Sequence, residues 1–323
     1  MSGVRAMGGI RLVALDLDGV VWKSGQVLPG VIEALAQVLQ RGLDLRYVSN
    51  NSTAHRETVS ERLAGLGLPA GAERVLTSGL VTARWLRGRL PEGAPVMVVG
   101  EEGLLCELRE AGLGAYHARE TGGSAGLMSG VVLAEEPAPT AEAHAAPAAA
   151  TPAAVVVGMD RSFSYKTLAA AQKAIRDGAL FVATNRDATF PTEDRLLPGA
   201  GSIVAAVAEA AEQEPVLMGK PGLALAEILA MATGVPAKET LFVGDRLSTD
   251  IAMGKAAGMV TALVLTGVTG ADGLREAEAM AVASAAPEGG VATAAGKEAA
   301  LPNHVLTDLS GLPALLDELA RPR

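Results

Sequence analysis

Four short segments of this 323-residue chain carry side chains suited to chemistry. The first is Asp16-Leu17-Asp18-Gly19-Val20, where period two along an extended segment puts both carboxylates on one side. Two acids closing an apolar run cannot be core residues without partners, because unpaired buried charge is very unfavourable. Gly19 then permits a sharp turn. The second segment, Ser49-Asn50-Asn51-Ser52-Thr53, offers a hydroxyl and backbone N–H groups between a strand and a helix, the makings of an anion-binding nest. The third, Gly219-Lys220-Pro221, holds a lysine at the carboxyl end of a strand as a candidate counter-charge for phosphate. The fourth runs from Val243 to Asp250: Asp245 ends a strand, and Asp250 falls at a helix start, where it suits the dipole and can orient a ligand.

Each segment alone has an ordinary reading: a strand-to-loop turn, an N-cap, a solvated lysine. Their joint occurrence, in order and each after an expected strand, sets those readings aside. Four carboxylates, a hydroxyl, a lysine and two helix N-termini converge on one sheet edge. Carboxylate oxygens with open positions suit Mg²⁺ rather than zinc. His55, His117, His144 and His304 are scattered and show no zinc-ligand spacing.

Strands and helices must alternate to bring these segments together. Residues 12–17 form a nearly unbroken apolar run, the pattern of a strand buried on both faces of a parallel sheet. A helix marked by Val31, Leu35, Val38 and Leu39 follows, then a strand over 43–48. Thr53 is the expected N-cap of a helix marked by Val59, Leu63 and Leu66. Past the middle of the chain the rhythm returns: strand 216–218, helix 223–232, strand 240–243, helix 249–257, strand 261–265. This alternation predicts an α/β fold, a doubly wound, Rossmann-like parallel sheet with its sites at the strands' carboxyl ends.

Residues 91–214 read as a second α/β unit inserted into a core formed by 1–90 and 215–323. Its expected strands are 96–99, 131–133, 155–157 and 180–183, and its clearest helix runs from Ser164 as N-cap to Gly178. Two segments, 135–152 and 284–302, are low in complexity and too poor in large apolar side chains to offset their ordering entropy; both read as loops.

Composition bounds the rest. Hydrophobic residues make up 49% and charged residues 20%, which predicts a packed globular protein. A net charge of −9 argues against nucleic acid and membrane surfaces as partners. Cys106 is the only cysteine, so no intrachain disulfide can form; with no secretory signal or bilayer-spanning run, a cytoplasmic location is expected.

The order D-L-D-G-V, S-N-N-S-T, G-K-P and G-D-R-L-S-T-D-I resembles the haloacid-dehalogenase-like phosphohydrolases. More narrowly, it is similar to the branch of 4-nitrophenylphosphatase, phosphoglycolate phosphatase and pyridoxal-phosphate phosphatase. Residues 155–160, 183–187 and 265–269 extend the likeness, which covers nearly the whole chain outside the two low-complexity segments. The resemblance implies a Mg²⁺-dependent phosphomonoesterase in which Asp16 attacks phosphorus and Asp18 serves as general acid, then general base. Ser49 and the Asn50 backbone would hold phosphoryl oxygens and Lys220 would neutralise charge. Mg²⁺ would bind the Asp16 carboxylate, the Asp18 carbonyl and Asp245, with Asp250 acting behind them. The inserted unit corresponds to the branch's cap domain, whose Asp160, Asn185, Asp187 and Phe190 would select a small-molecule phosphate ester; a homodimer through the cap is a further expectation.

Competing readings meet specific residues. A haloacid dehalogenase lacks an acid at the position of Asp18, and a transport ATPase has Lys-Thr where Leu17-Asp18 stands. A phosphomutase shares the motifs, and a non-catalytic member of the fold stays open. A dinucleotide-binding loop would need a third glycine where Gly199-Ala200-Gly201-Ser202-Ile203-Val204 has Val204. The motifs do not choose between phosphoglycolate, sugar phosphate, nucleotide and pyridoxal phosphate.

Overall fold

A computed structural model describes residues 9–120, 151–191, 195–284 and 300–321. Mutual packing divides the chain into two units. The first comprises Met1–Asn50, Arg56–Ser78 and Gly219–Arg323; the second comprises Asn51–His55 and Gly79–Met218. No helix among the described residues is long and apolar enough to cross a membrane.

The first unit is built on six parallel strands in the order His304–Leu306, Val260–Val264, Thr240–Gly244, Leu12–Asp16, Asp44–Ser49, Val75–Thr77. Leu12, Val13, Ala14 and Leu15 are wholly buried, as a strand covered on both faces requires. From this central strand the chain runs outward to one edge, then returns to build the other side through Thr240–Gly244. Strand order therefore reverses at Leu12–Asp16, and ligands of doubly wound sheets bind beside such a reversal. The register sets Asp16 opposite Val48 and Leu15 opposite Val243. Ser49 and Asp245 accordingly emerge at the same edge as Asp16.

The second unit holds five parallel strands in the order Val216–Leu217, Leu180–Ala183, Ala154–Val157, Pro95–Val99, Gly114–His117. The helices Tyr165–Arg176 and Ala200–Ala211 pack on it through small residues, among them Ala170, Ala171, Ala174, Val204 and Val207. Ser164 caps the first of these helices with a reciprocal capping box involving Thr167, as its position predicts.

Three expectations change. Val216–Leu217 pairs with Leu180–Ala183 of the second unit and does not join the core sheet. Thr53 caps no helix. Its N–H and hydroxyl both donate to Asn51 Oδ1, a local turn, and the helix begins at Arg56. The helix expected over 249–257 opens two residues early as a π-type turn, Leu247–Ile251, before Ala252–Ala256. Gly199 and Gly201 serve close packing: a Cβ on Gly199 would lie 2.2 Å from Asp187 O, and one on Gly201 2.5 Å from Arg186 O. The strand expected at 131–133 and most of 135–152 and 284–302 lie outside the described residues.

Candidate active site

Lys220 is the centre of charge in the first unit. Its side chain is 3% exposed and its Nζ lies 2.8 Å from Asp16 Oδ1 and 2.7 Å from Asp250 Oδ1. A buried ammonium at this depth survives only with such partners. Its direction is fixed from behind by Asn50. The Asn50 carboxamide donates to Lys220 O at 3.0 Å and accepts from Lys220 N–H at 2.8 Å, and Ser78 Oγ donates to Asn50 O at 2.6 Å. The Lys220–Pro221 peptide is cis.

Asp250 is fully engaged by the protein. Its Oδ2 accepts the N–H groups of Asp245 and Arg246 at 3.3 and 3.0 Å while Oδ1 faces Lys220. Gly244 makes room for it, since a Cβ there would come 2.2 Å from Asp250 Cβ. Asp245 sits in a glycine cradle. Added Cβ atoms on Gly19 and Gly267 would approach its Oδ2 to 2.5 and 1.9 Å, and Gly19 also holds φ +81°, a conformation that favours glycine. Val268 N–H donates to the same oxygen at 2.6 Å. Thr266 Oγ1 donates to Gly19 O, tying the two cradle walls together.

Asp16 accepts the Leu17 N–H on Oδ1 at 2.8 Å, beside Lys220. Asp18 is exposed, and its Oδ1 accepts the indole N–H of Trp22 at 2.9 Å. Ser49 ends its strand, buried, one position beyond the residue paired with Asp16. Together these place Asp16, Ser49, Lys220, Asp245 and Asp250 at one edge of one sheet, with Asp18 on the following turn.

Negative charge exceeds positive here. Burial raises the Asp16 carboxyl well above the ordinary range against the pull of Lys220, and burial followed by the nearby Asp250 pushes Asp245 up to about 6. Burial pulls the Lys220 ammonium down, but Asp16 and Asp250 outweigh it and the net shift is upward. The carboxylate oxygens of Asp16, Asp245 and Asp250 lie within 4.8 Å of one another. An all-oxygen set with surplus negative charge fits a hard divalent cation such as Mg²⁺. Asp250, with both oxygens engaged, is the member least able to contribute a ligand; Asp16 and Asp245 fit that part.

In the second unit, Asp160 and Asn185 are buried and shape their own turns: Asp160 Oδ1 accepts Ser162 N–H at 2.8 Å, and Asn185 Oδ1 accepts Asp187 N–H at 3.0 Å. Asp187 and Phe190 keep part of their surface exposed. Sequence reasoning missed Trp22, the Asn50 carboxamide and Gly267. A signal existed for Trp22, since a buried indole needs an acceptor and Asp18 lies one short turn away. Asn50 and Lys220 meet across 170 positions of sequence, which no local pattern reveals.

Surplus carboxylates around one buried lysine, at the reversal point of a parallel sheet, mark the candidate site of a doubly wound α/β protein. Residues 13–114 match the haloacid dehalogenase-like hydrolase family and residues 217–312 a HAD-hydrolase-like family. The chain is 38% identical over 267 residues to glycerol-3-phosphate phosphatase of Gallus gallus, covering 81% of this chain and 82% of that one. Its fold matches a p-nitrophenyl phosphatase from Archaeoglobus fulgidus with TM-score 0.75 and 30% identity, over 95% of this chain and 99% of that one. A glycerol phosphate phosphatase of Mycobacterium tuberculosis, solved in complex with magnesium, matches with TM-score 0.73 and 32% identity, over 95% of this chain and 78% of that one. The chain belongs to the haloacid dehalogenase-like hydrolases, and within them it is a phosphatase.

Proposed function

We propose that the protein hydrolyses small phosphate monoesters through a covalent phosphoryl group on Asp16, with Mg²⁺ as cofactor. The observation that carries this reading is Lys220, buried between Asp16 and Asp250 beside the Asp245 cradle. A carboxylate is a weak nucleophile and its target is an anion, so cations must relieve their repulsion. Lys220 supplies one. Bound by Asp16, Asp245 and the Asp18 carbonyl, Mg²⁺ would supply Lewis-acid neutralisation of phosphoryl charge.

The chain's own groups then divide the work. Ser49 and the Asn50 N–H hold phosphoryl oxygens while a carboxylate oxygen of Asp16 attacks phosphorus. Asp18 gives its proton to the leaving oxygen as that P–O bond breaks. It next takes a proton from the water that attacks phosphorus, and the bond to Asp16 opens. One group serves both halves because the second is the first with water in place of the alcohol.

Substrate choice falls to the second unit in this reading, through Asp187 and Phe190, which keep exposed surface, more than through Asp160 and Asn185, which their own turns occupy. The ester class follows the relatives: a short phosphorylated alcohol or acid such as glycerol phosphate or phosphoglycolate. Purified protein should release phosphate from 4-nitrophenyl phosphate only with Mg²⁺ present, and Asp16→Asn should be inactive at any metal concentration. Full activity after exhaustive chelation, or in Asp16→Asn, would remove the reading. Ranking a phosphomonoester panel by kcat/KM, then repeating it with Asp187→Ala and Phe190→Ala, tests the substrate assignment: the ranking should change with these variants.

A further inference from the structure

Trp22 belongs to none of the four chemical segments, yet it makes the one hydrogen bond that the Asp18 carboxylate receives among the described residues. Its ring is 3% exposed, and its orientation is over-determined. Backbone bonds from Gly19 N–H to Trp22 O at 2.8 Å and from Trp22 N–H to Leu17 O at 3.1 Å close the intervening chain into a compact turn. Trp22–Lys23 pairs with Gln26–Val27 in a short antiparallel ladder. The Arg62 guanidinium lies over the ring, 4.6 Å from its centroid, and Gly25 keeps that approach open, since a Cβ there would come 3.2 Å from Arg62 Nη2.

An indole N–H only donates. An ionised carboxylate accepts it, and so does the carbonyl-like Oδ1 of a carboxyl protonated on Oδ2. The bond to Oδ1 therefore persists through both protonation states of Asp18. We propose that Trp22 is a positioning residue of the reaction, whose indole N–H locks the Asp18 carboxyl and confines proton transfer to Oδ2. The proposal rests on the reading of Asp18 as acid and base. In the first half-reaction the Oδ2 proton passes to the leaving oxygen as its P–O bond breaks. In the second, a proton of the attacking water passes to Oδ2 as the Asp16 P–O bond breaks. Without the N–H, the exposed carboxyl would rotate, and both transfers would slow.

Trp22→Phe keeps an aromatic ring beneath Arg62 and removes the donor. With an alkyl ester such as glycerol 3-phosphate, kcat should fall about ten- to hundredfold while KM stays within about threefold. A 4-nitrophenolate leaving group needs little protonation, so with that ester the first turnover should keep its rate within about threefold while the steady state slows by about the same ten- to hundredfold. Quench-flow measurement of the released alcohol should then show a full burst with the nitrophenyl ester and a much smaller one with the alkyl ester. Equal first-turnover losses with both esters, a loss confined to KM, or no loss would overturn the proposal. Should Trp22→Phe fail to fold, benzothienylalanine at position 22, with sulfur in place of the N–H in a ring of the same shape, carries the same expectations. Asp18→Asn, measured alongside, separates the two levels. If it shows no difference between esters, the acid–base reading of Asp18 has failed and the role of Trp22 falls with it. If it shows the difference and the Trp22 variants do not, only the role of Trp22 has failed.

Discussion

At the scale of single residues, the site is a problem in charge that the protein alone leaves unbalanced. Asp16 and Asp245 titrate above the ordinary carboxylate range because burial outweighs the one lysine offered to them. A folded pKa raised above its unfolded value favours folding at low pH, and that contribution is lost as pH rises through the folded value, about 6 for Asp245. Without metal, stability should therefore decline as pH rises through that range, and a bound cation should offset the decline. The rise in Tm produced by Mg²⁺ should be small at about pH 5 and larger at about pH 7.5. A Mg²⁺ effect on Tm that is equal at both, or larger in acid, would contradict this balance. The glycine cradle gives a second residue-level prediction. A methyl at Gly267 would collide with Asp245 Oδ2, whereas one at Gly270 meets nothing within 4 Å. Gly267→Ala should weaken Mg²⁺ affinity by more than about tenfold, and Gly270→Ala should change it less than about twofold, by titration calorimetry.

At the scale of elements, local rules and long-range packing separate cleanly. The capping box at Ser164 is local, and its value is predictable: Ser164→Ala should cost about 1 kcal/mol, seen as a Tm lowered by a few degrees with kcat/KM unchanged. An unchanged Tm would show that the Thr167 side of the box suffices. Such signals were legible in the sequence, as were the buried strands Leu12–Asp16 and Thr240–Gly244, because a short apolar run ending in a charged residue has few other solutions. The four motif segments were legible for the same reason. Val216–Leu217 misled because two residues of strand carry no record of their partner, and only pairing with Leu180–Ala183 assigns them to a sheet. Ala200–Ala211 was missed because an alanine-rich helix shows little contrast between its faces. The π-type turn that carries Asp250 was equally hidden, since no local residue pattern marks it.

At the scale of the whole molecule, the chain carries a net charge of −9, and the proposed anionic substrate would meet surplus carboxylate charge that the buried Lys220 only partly offsets. In the proposed mechanism the metal is then as necessary as the nucleophile. Chelation should abolish turnover, and Ca²⁺ should compete with Mg²⁺ without supporting it, because its looser coordination spoils in-line attack. In the proposed mechanism phosphate passes through Asp16 as a covalent adduct. The direct test is intact-protein and peptide mass spectrometry of Asp18→Asn, quenched in acid seconds after mixing with 4-nitrophenyl phosphate and Mg²⁺, with metal binding by the variant confirmed first. The variant should gain the mass of one phosphoryl group, mapped to the peptide that carries Asp16 and absent from the Asp16→Asn/Asp18→Asn double variant. Phosphate release without any such adduct, or an adduct that persists in the double variant, would contradict it.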